Sequence, residues 1–139
     1  MSVEIRELSM ADYAEVIALW RQSEGIGLSR ADEPERIAAY LERNPGMSFT
    51  AWEEGVLLGA ALAGHDGRRG YLHHLAVRPE RRGQGIGRAL SSRCLGALRA
   101  AGIEKCHLFV FRQNQAGVAF WKNIGWQERV ELVLMSKGV

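Results

Sequence analysis

The residues with the clearest chemical potential are Arg82-Gly83-Gln84-Gly85-Ile86-Gly87-Arg88. They follow an apolar run, Leu75-Ala76-Val77, and lead into a long amphipathic pattern that reaches Ala101. Glycines at a predicted helix start leave backbone amides bare, and such a start carries unpaired N–H groups and a partial positive charge. Arg78, Arg81, Arg82 and Arg88 crowd the same stretch. A solvated arginine face is the plain alternative, but glycines set between arginines favour a phosphate or pyrophosphate cradle. Just upstream, Tyr71, His73 and His74 lie on one predicted strand. In an unbroken strand His73 shares a face with Tyr71, and His74 points the other way. Imidazole titrates near about 6.5, within reach of proton transfer at neutral pH. A strand histidine satisfied in the core is the other reading for either one. Cys94 and Cys106 show neither a disulfide framework nor metal-ligand spacing, so reduced thiols and no metal site are expected.

The elements that must position these groups follow from periodicity. The 139 residues fit one domain, 1–139, with a single core. A charged fraction of 24% and a formal net charge of +2 are too mild to imply a nucleic-acid partner. The N-terminus lacks the apolar centre of a signal peptide, and no run approaches the ~20 apolar residues of a membrane span. A cytoplasmic protein without a membrane partner is the expectation. Alternation at 3–8 predicts a strand, Ser9 an N-cap with Asp12 as its acidic partner, and 11–21 a helix with Tyr13, Val16, Ile17 and Trp20 on one face. Residues 24–30 read as a mobile loop. Pro34 opens a second helix that Asn44-Pro45-Gly46 stops. Strands at 47–52 and 56–63 join through a tight Glu53-Glu54-Gly55 hairpin, and another spans 71–77. A helix over 85–101, capped by Gly102, crosses to a parallel strand at 103–111. A last helix runs from Asn114 through Lys122, and a last strand spans 130–135, with a short extra strand near 126–127 left open. The order is β-α-α-β-β-β-α-β-α-β, an α/β fold whose mixed sheet is covered by helices on both faces.

Arg82-x-x-Gly85-x-Gly87, after a strand ending Leu75-Ala76-Val77 and before a long helix, resembles the acetyl-CoA signature of the GNAT superfamily of N-acetyltransferases. Asn114 through Phe120, Trp121, Gly125 and Trp126 is similar to that family's second conserved segment, and the element order agrees over the whole chain. Other glycine loops fit poorly. A P-loop wants Lys-Ser/Thr where Arg88-Ala89 stands, and a dinucleotide fingerprint wants glycine at Arg82 and an acid where the next strand ends Phe109-Val110-Phe111.

The resemblance implies a mostly antiparallel sheet that splays between the strands at 71–77 and 103–111. It implies that the amides of Gly83, Gln84, Gly85, Ile86, Gly87 and Arg88 hold the CoA pyrophosphate, with Arg82 beside it. The strand carrying Leu75-Ala76-Val77 would bulge, and its freed backbone groups would bind pantetheine, one of them polarising the thioester carbonyl. Asn114 would bond the same arm or serve as a helix N-cap. The implied reaction is direct attack of an amine, on a small molecule or a peptide N-terminus, on acetyl-CoA. Trp121 stands where the family usually keeps a tyrosine, and indole N–H is a donor but no acid near neutrality. Tyr71 occupies a position where many relatives keep a catalytic Glu or Tyr, and His73 is a candidate acceptor of the amine proton. Glu24, Asp32 and Asp66 are candidates for a cationic acceptor. A CoA-binding sensor without efficient transfer is the alternative, and the segment 126–135 is a candidate homodimer edge.

Overall fold

Alternating apolar runs and one tight turn build the sheet. In the computed structural model, which describes residues 2–139, β2 (Phe49–Glu53) and β3 (Val56–His65) pair antiparallel through Glu53↔Val56. The two residues between them, Glu54 (φ 49°) and Gly55 (φ 77°), both lie in the left-handed region, as a two-residue hairpin turn with the sheet's own twist requires. With β1 (Glu4–Glu7), β4 (Gly70–Val77) and β5 (Cys106–His107) they form a five-stranded mixed sheet in the order β1-β2-β3-β4-β5. Every pairing is antiparallel except β4 with β5.

Helices cover both faces. On one side α1 (Tyr13–Gln22) and α2 (Pro34–Arg43) bury Val16, Ile17, Leu19, Trp20 and Ile37 against Leu57, Ala60, Leu62 and Ala76 of the sheet. Each such fully buried aliphatic contributes roughly 1.5–3 kcal/mol. Trp20 satisfies its indole N–H on the Ala60 carbonyl at 3.3 Å. On the other side α3 (Ile86–Ala100) brings Leu90 and Leu98 against Gly59 and Gly70, where an added Cβ would fall 3.0 and 2.8 Å from their methyl carbons. Those glycines let the helix sit close. No helix among the described residues is long and apolar enough to cross a membrane.

The chain divides into two compact units, one through Phe109 and the other Val110–Val139. The second contains α4 (Gln115–Asn123), whose N-cap is Asn114, its side-chain oxygen accepting the Gly117 N–H at 3.0 Å. Neither the strand expected at 130–135 nor the short one near 126–127 forms. Val130 is 81% and Met135 86% exposed, and no strand lies in this unit for them to pair with.

Two further expectations change. The strand at 103–111 shrinks to Cys106–His107, because its ladder to β4 ends at Tyr71↔His107. Asp12 is not the partner of the Ser9 cap: Ser9 Oγ accepts the Ala11 N–H of a 3₁₀ turn, and Asp12 lies 3.5 Å from Arg6. The reciprocal capping box is instead formed by Ser29 and Asp32, ahead of α2.

Candidate active site

Strand β4 carries the irregularity that shapes the site. Its register to β3 runs Ala63↔Leu72 and then Leu62↔His74, so His73 is an extra, bulged residue. The strand carrying Leu75-Ala76-Val77 does bulge, and the extra residue is His73, ahead of that apolar run. The residue pattern explains the position. Gly70 faces Leu98 and Val77 faces Gly59, both toward α3, so Leu72 and Leu75 must share that apolar side with two histidines between them. Plain alternation cannot place residues three apart on one face; one inserted residue can.

The bulge also breaks the alternation that an unbroken strand would impose on the two histidines. Both rings turn to the α1–α2 side. His73 lies edge-on to Tyr40 of α2, centroids 5.5 Å apart, while His74 tilts against Trp20 of α1 at 4.9 Å. Beyond Tyr71, β4 has no ladder partner on its β5 side among the described residues, which leaves that edge open beside His73 through Val77. Tyr71, stacked on His73 at 5.9 Å, also meets His107 at 5.9 Å, so Tyr40, His73, Tyr71 and His107 form a row of rings. Tyr71 and His73 were visible in the sequence. Periodicity marks Tyr40 only as part of the apolar face of α2, and His107 follows from the parallel pairing once its register is known.

Crowding among these rings holds the exposed His73 imidazole below its ordinary pKa, and the neighbouring His74 adds to the shift. Its neutral form therefore prevails at pH 7. Burial pushes the Tyr40 phenol up to about 12. Burial likewise raises the Cys94 thiol to about 12 and Cys106 to about 11, so both remain protonated.

The glycine loop forms a cradle at the start of α3. Gly83 (φ 76°) and Gly85 (φ 85°) both adopt left-handed backbone, and a Cβ on either would meet nothing within 4 Å. Conformation rather than crowding therefore requires glycine there in this structure. Gly85 is the N-cap and offers no side-chain oxygen, and no acidic residue stands in the first turn. The first intrahelical bond runs from Ala89 N–H to the Gly85 carbonyl at 3.0 Å, leaving the first-turn amides of Ile86, Gly87 and Arg88 uncapped.

The arginines divide by partner. Arg81 is neutralised by Glu53 at 2.7 Å and braces the loop through Gln84 Oε1 at 2.9 Å. The Gln84 side chain is thus engaged within the loop. Arg78 donates to the Leu57 carbonyl, and Arg82 Nε–H donates to the Val77 carbonyl at 3.1 Å, tying the loop to the end of β4. Arg82 and Arg88 are exposed, and among the described residues neither has a carboxylate partner. Uncapped amides beside unpaired guanidinium groups fit a phosphate or pyrophosphate group.

Two acidic acceptor candidates are already engaged. Asp32 is buried on His74 and Ser29, and Asp66 Oδ1 accepts the Arg68 and Arg69 amides across the β3–β4 turn. Glu24 remains an exposed carboxylate. In the second unit Trp121 packs edge-on against Phe120 and Trp126, at 4.9 and 5.2 Å.

Comparison with known proteins bears directly on this arrangement. Residues 11–126 match the model of the acetyltransferase (GNAT) family. An acetyltransferase of Pectobacterium atrosepticum is 33% identical over 136 residues, 97% of this chain and 94% of that one. An acetyltransferase of Sodalis glossinidius is 32% identical over the same length and shares. Among solved structures, the PaiA N-acetyltransferase of Thermoplasma acidophilum in complex with coenzyme A superposes with a TM-score of 0.79 at 25% identity. It covers 91% of each chain.

Proposed function

This chain belongs to the GNAT acetyltransferase family, and we propose that it transfers the acetyl group of acetyl-CoA to a primary amine, on a small molecule or a peptide N-terminus. The observation that carries this reading is the uncapped start of α3 beside Arg82 and Arg88, directly downstream of a strand whose outer edge, among the described residues, is unpaired beyond Tyr71. The PaiA relative's complex with coenzyme A supports it.

Acetyl-CoA supplies an activated acetyl thioester. Toward it, the amides of Gly83, Gln84, Gly85, Ile86, Gly87 and Arg88 bind the pyrophosphate, and Arg82 adds charge beside them. Backbone groups of Leu75, Ala76 and Val77 on the open side of β4 hold the pantetheine arm and orient the thioester carbonyl. Asn114 serves α4 as its N-cap. His73, neutral at pH 7 and beside the open edge of β4, takes the proton of the attacking amine, with Tyr71 stacked behind it to fix its ring. The indole of Trp121 is no acid near neutrality, so water returns the proton to the leaving thiolate. Trp121 also favours a second reading, a CoA-binding sensor on the same fold with little transfer.

A thiol-release assay with acetyl-CoA across polyamines, aminoglycosides and peptide N-termini separates the two. Turnover on one acceptor that falls at least tenfold in His73→Gln supports the transferase. Tight acetyl-CoA binding without turnover on any acceptor supports the sensor.

A further inference from the structure

Asp32 is the one charged residue buried among those described, at 6% exposure. Neither lysine nor arginine meets it. Oδ1 lies 2.7 Å from His74 Nε2, and Oδ2 accepts the Ser29 N–H at 2.9 Å. Removing a carboxylate from water is costly unless it is paired and hydrogen-bonded, and a capping aspartate does its work equally well when exposed. The burial is therefore explained by the partner, not by the cap.

That partner follows the bulge directly. His74 leans on Trp20, whose indole is tied to Ala60 of β3. Tyr13 of α1 donates its hydroxyl to the Asp32 carbonyl at 2.6 Å. Ile26 and Leu28 of the 23–33 loop pack against the same core. Helix α1 thus meets the backbone of Asp32, while the loop into α2 and β4 meet its carboxylate. Because an ionised carboxylate only accepts, the contact also fixes the His74 proton on Nε2. Pulling His74 to the α1 side leaves His73 as the inserted residue, open beside Tyr71.

We propose that Asp32 and His74 are positioning residues for acetyl transfer: their contact clamps the 23–33 loop onto β4 and holds the bulge that presents His73. The proposal rests on the reading that His73 takes the amine proton, and it assigns Asp32 to the scaffold of the acceptor side instead of to the acceptor itself.

The test uses the full chain and the variants Asp32→Ala and Asp32→Asn, with two readouts. In amide hydrogen exchange, Asp32→Ala should speed exchange at Ser29, Asp32 and 72–75 at least tenfold. Amides of α3 and the dissociation constant of acetyl-CoA should stay within twofold of wild type. Asp32→Asn, which can still accept from His74, should recover most of that protection. In turnover, read on whichever panel amine the wild type acetylates, kcat should fall at least tenfold in Asp32→Ala and about threefold in Asp32→Asn, with KM for acetyl-CoA unchanged. Local exchange and kcat at wild-type values, with only the melting temperature reduced, overturn the proposal. If Asp32→Ala does not fold, Asp32→Asn decides, and wild-type kcat in it overturns the proposal. Absence of turnover in the wild type counts against the transferase reading. The exchange result then decides the clamp by itself: a local effect supports it, a uniform one overturns it.

Discussion

Gly85→Ala and Gly96→Ala, two substitutions at one helix, should have opposite effects. Gly85 is the N-cap of α3 at φ 85°, and Gly96 lies in the helix interior; an added Cβ at either meets nothing within 4 Å. Crowding therefore plays no part at either site. At Gly96, alanine removes unfolded-chain freedom and should stabilise the fold by about 0.5–1 kcal/mol. At Gly85, alanine must hold a left-handed backbone, which costs roughly 1–2 kcal/mol. If the loop keeps its shape, the penalty falls on stability and lowers the melting temperature by roughly 3–10 °C for a chain of this size. If the loop relaxes to negative φ, the first-turn amides swing away from the cradle. The same 1–2 kcal/mol then appears as about a five- to thirtyfold loss of acetyl-CoA affinity. Thermal melts with calorimetric titration of acetyl-CoA measure both shares. Gly85→Ala as benign as Gly96→Ala in both readouts would refute the role given to this backbone.

Other expectations follow from the partners each group has. Glu53→Gln should destabilise the fold by about 1–2 kcal/mol, since the Arg81 ion pair is mostly shielded but its guanidinium can still turn to water; urea denaturation reads this. Arg82→Met and Arg88→Met should each flatten the salt dependence of acetyl-CoA binding, whereas replacing the ion pair together, Arg81→Met with Glu53→Gln, removes no net charge and should leave the slope near wild type. Because the folded-state pKa of His73 lies below the unfolded value of about 6.5, the unfolded chain takes up this proton first. Wild-type stability should therefore fall as pH drops through 6.5, and the fall should level off below the folded pKa. His73→Gln should remove that increment, as denaturation at pH 8 and pH 5 would show. Cys94 and Cys106, raised by burial, should resist iodoacetamide at pH 7.5 in the native chain and react on unfolding.

Local signals were legible where the physics is local. The Glu54-Gly55 turn, Pro34 at the first turn of α2, and the strand-loop-helix around Gly83 to Gly87 all follow from residue types that permit few backbone conformations. Strands whose existence depends on a partner were not legible. Phe109 and Phe111 carry strand-like alternation, yet the β4–β5 ladder ends at Tyr71↔His107. Val130 to Met135 has the same composition and pairs with nothing. The bulge had a signal that simple alternation obscures: two leucines three residues apart, Leu72 and Leu75, flanking two histidines. The Asp32–His74 contact joins residues 42 apart and needs the bulge before it can form, so periodicity alone could not reveal it.

Calorimetric titration with acetyl-CoA and with acetyl-pantetheine, which lacks the pyrophosphate and nucleotide, tests the cradle most directly. The expected result is acetyl-CoA binding at least tenfold tighter than acetyl-pantetheine, with Gly85→Glu reducing acetyl-CoA to the level of the truncated ligand. Equal affinity for the two ligands, or acetyl-CoA affinity untouched in Gly85→Glu, would contradict the assignment of the α3 amides to the pyrophosphate.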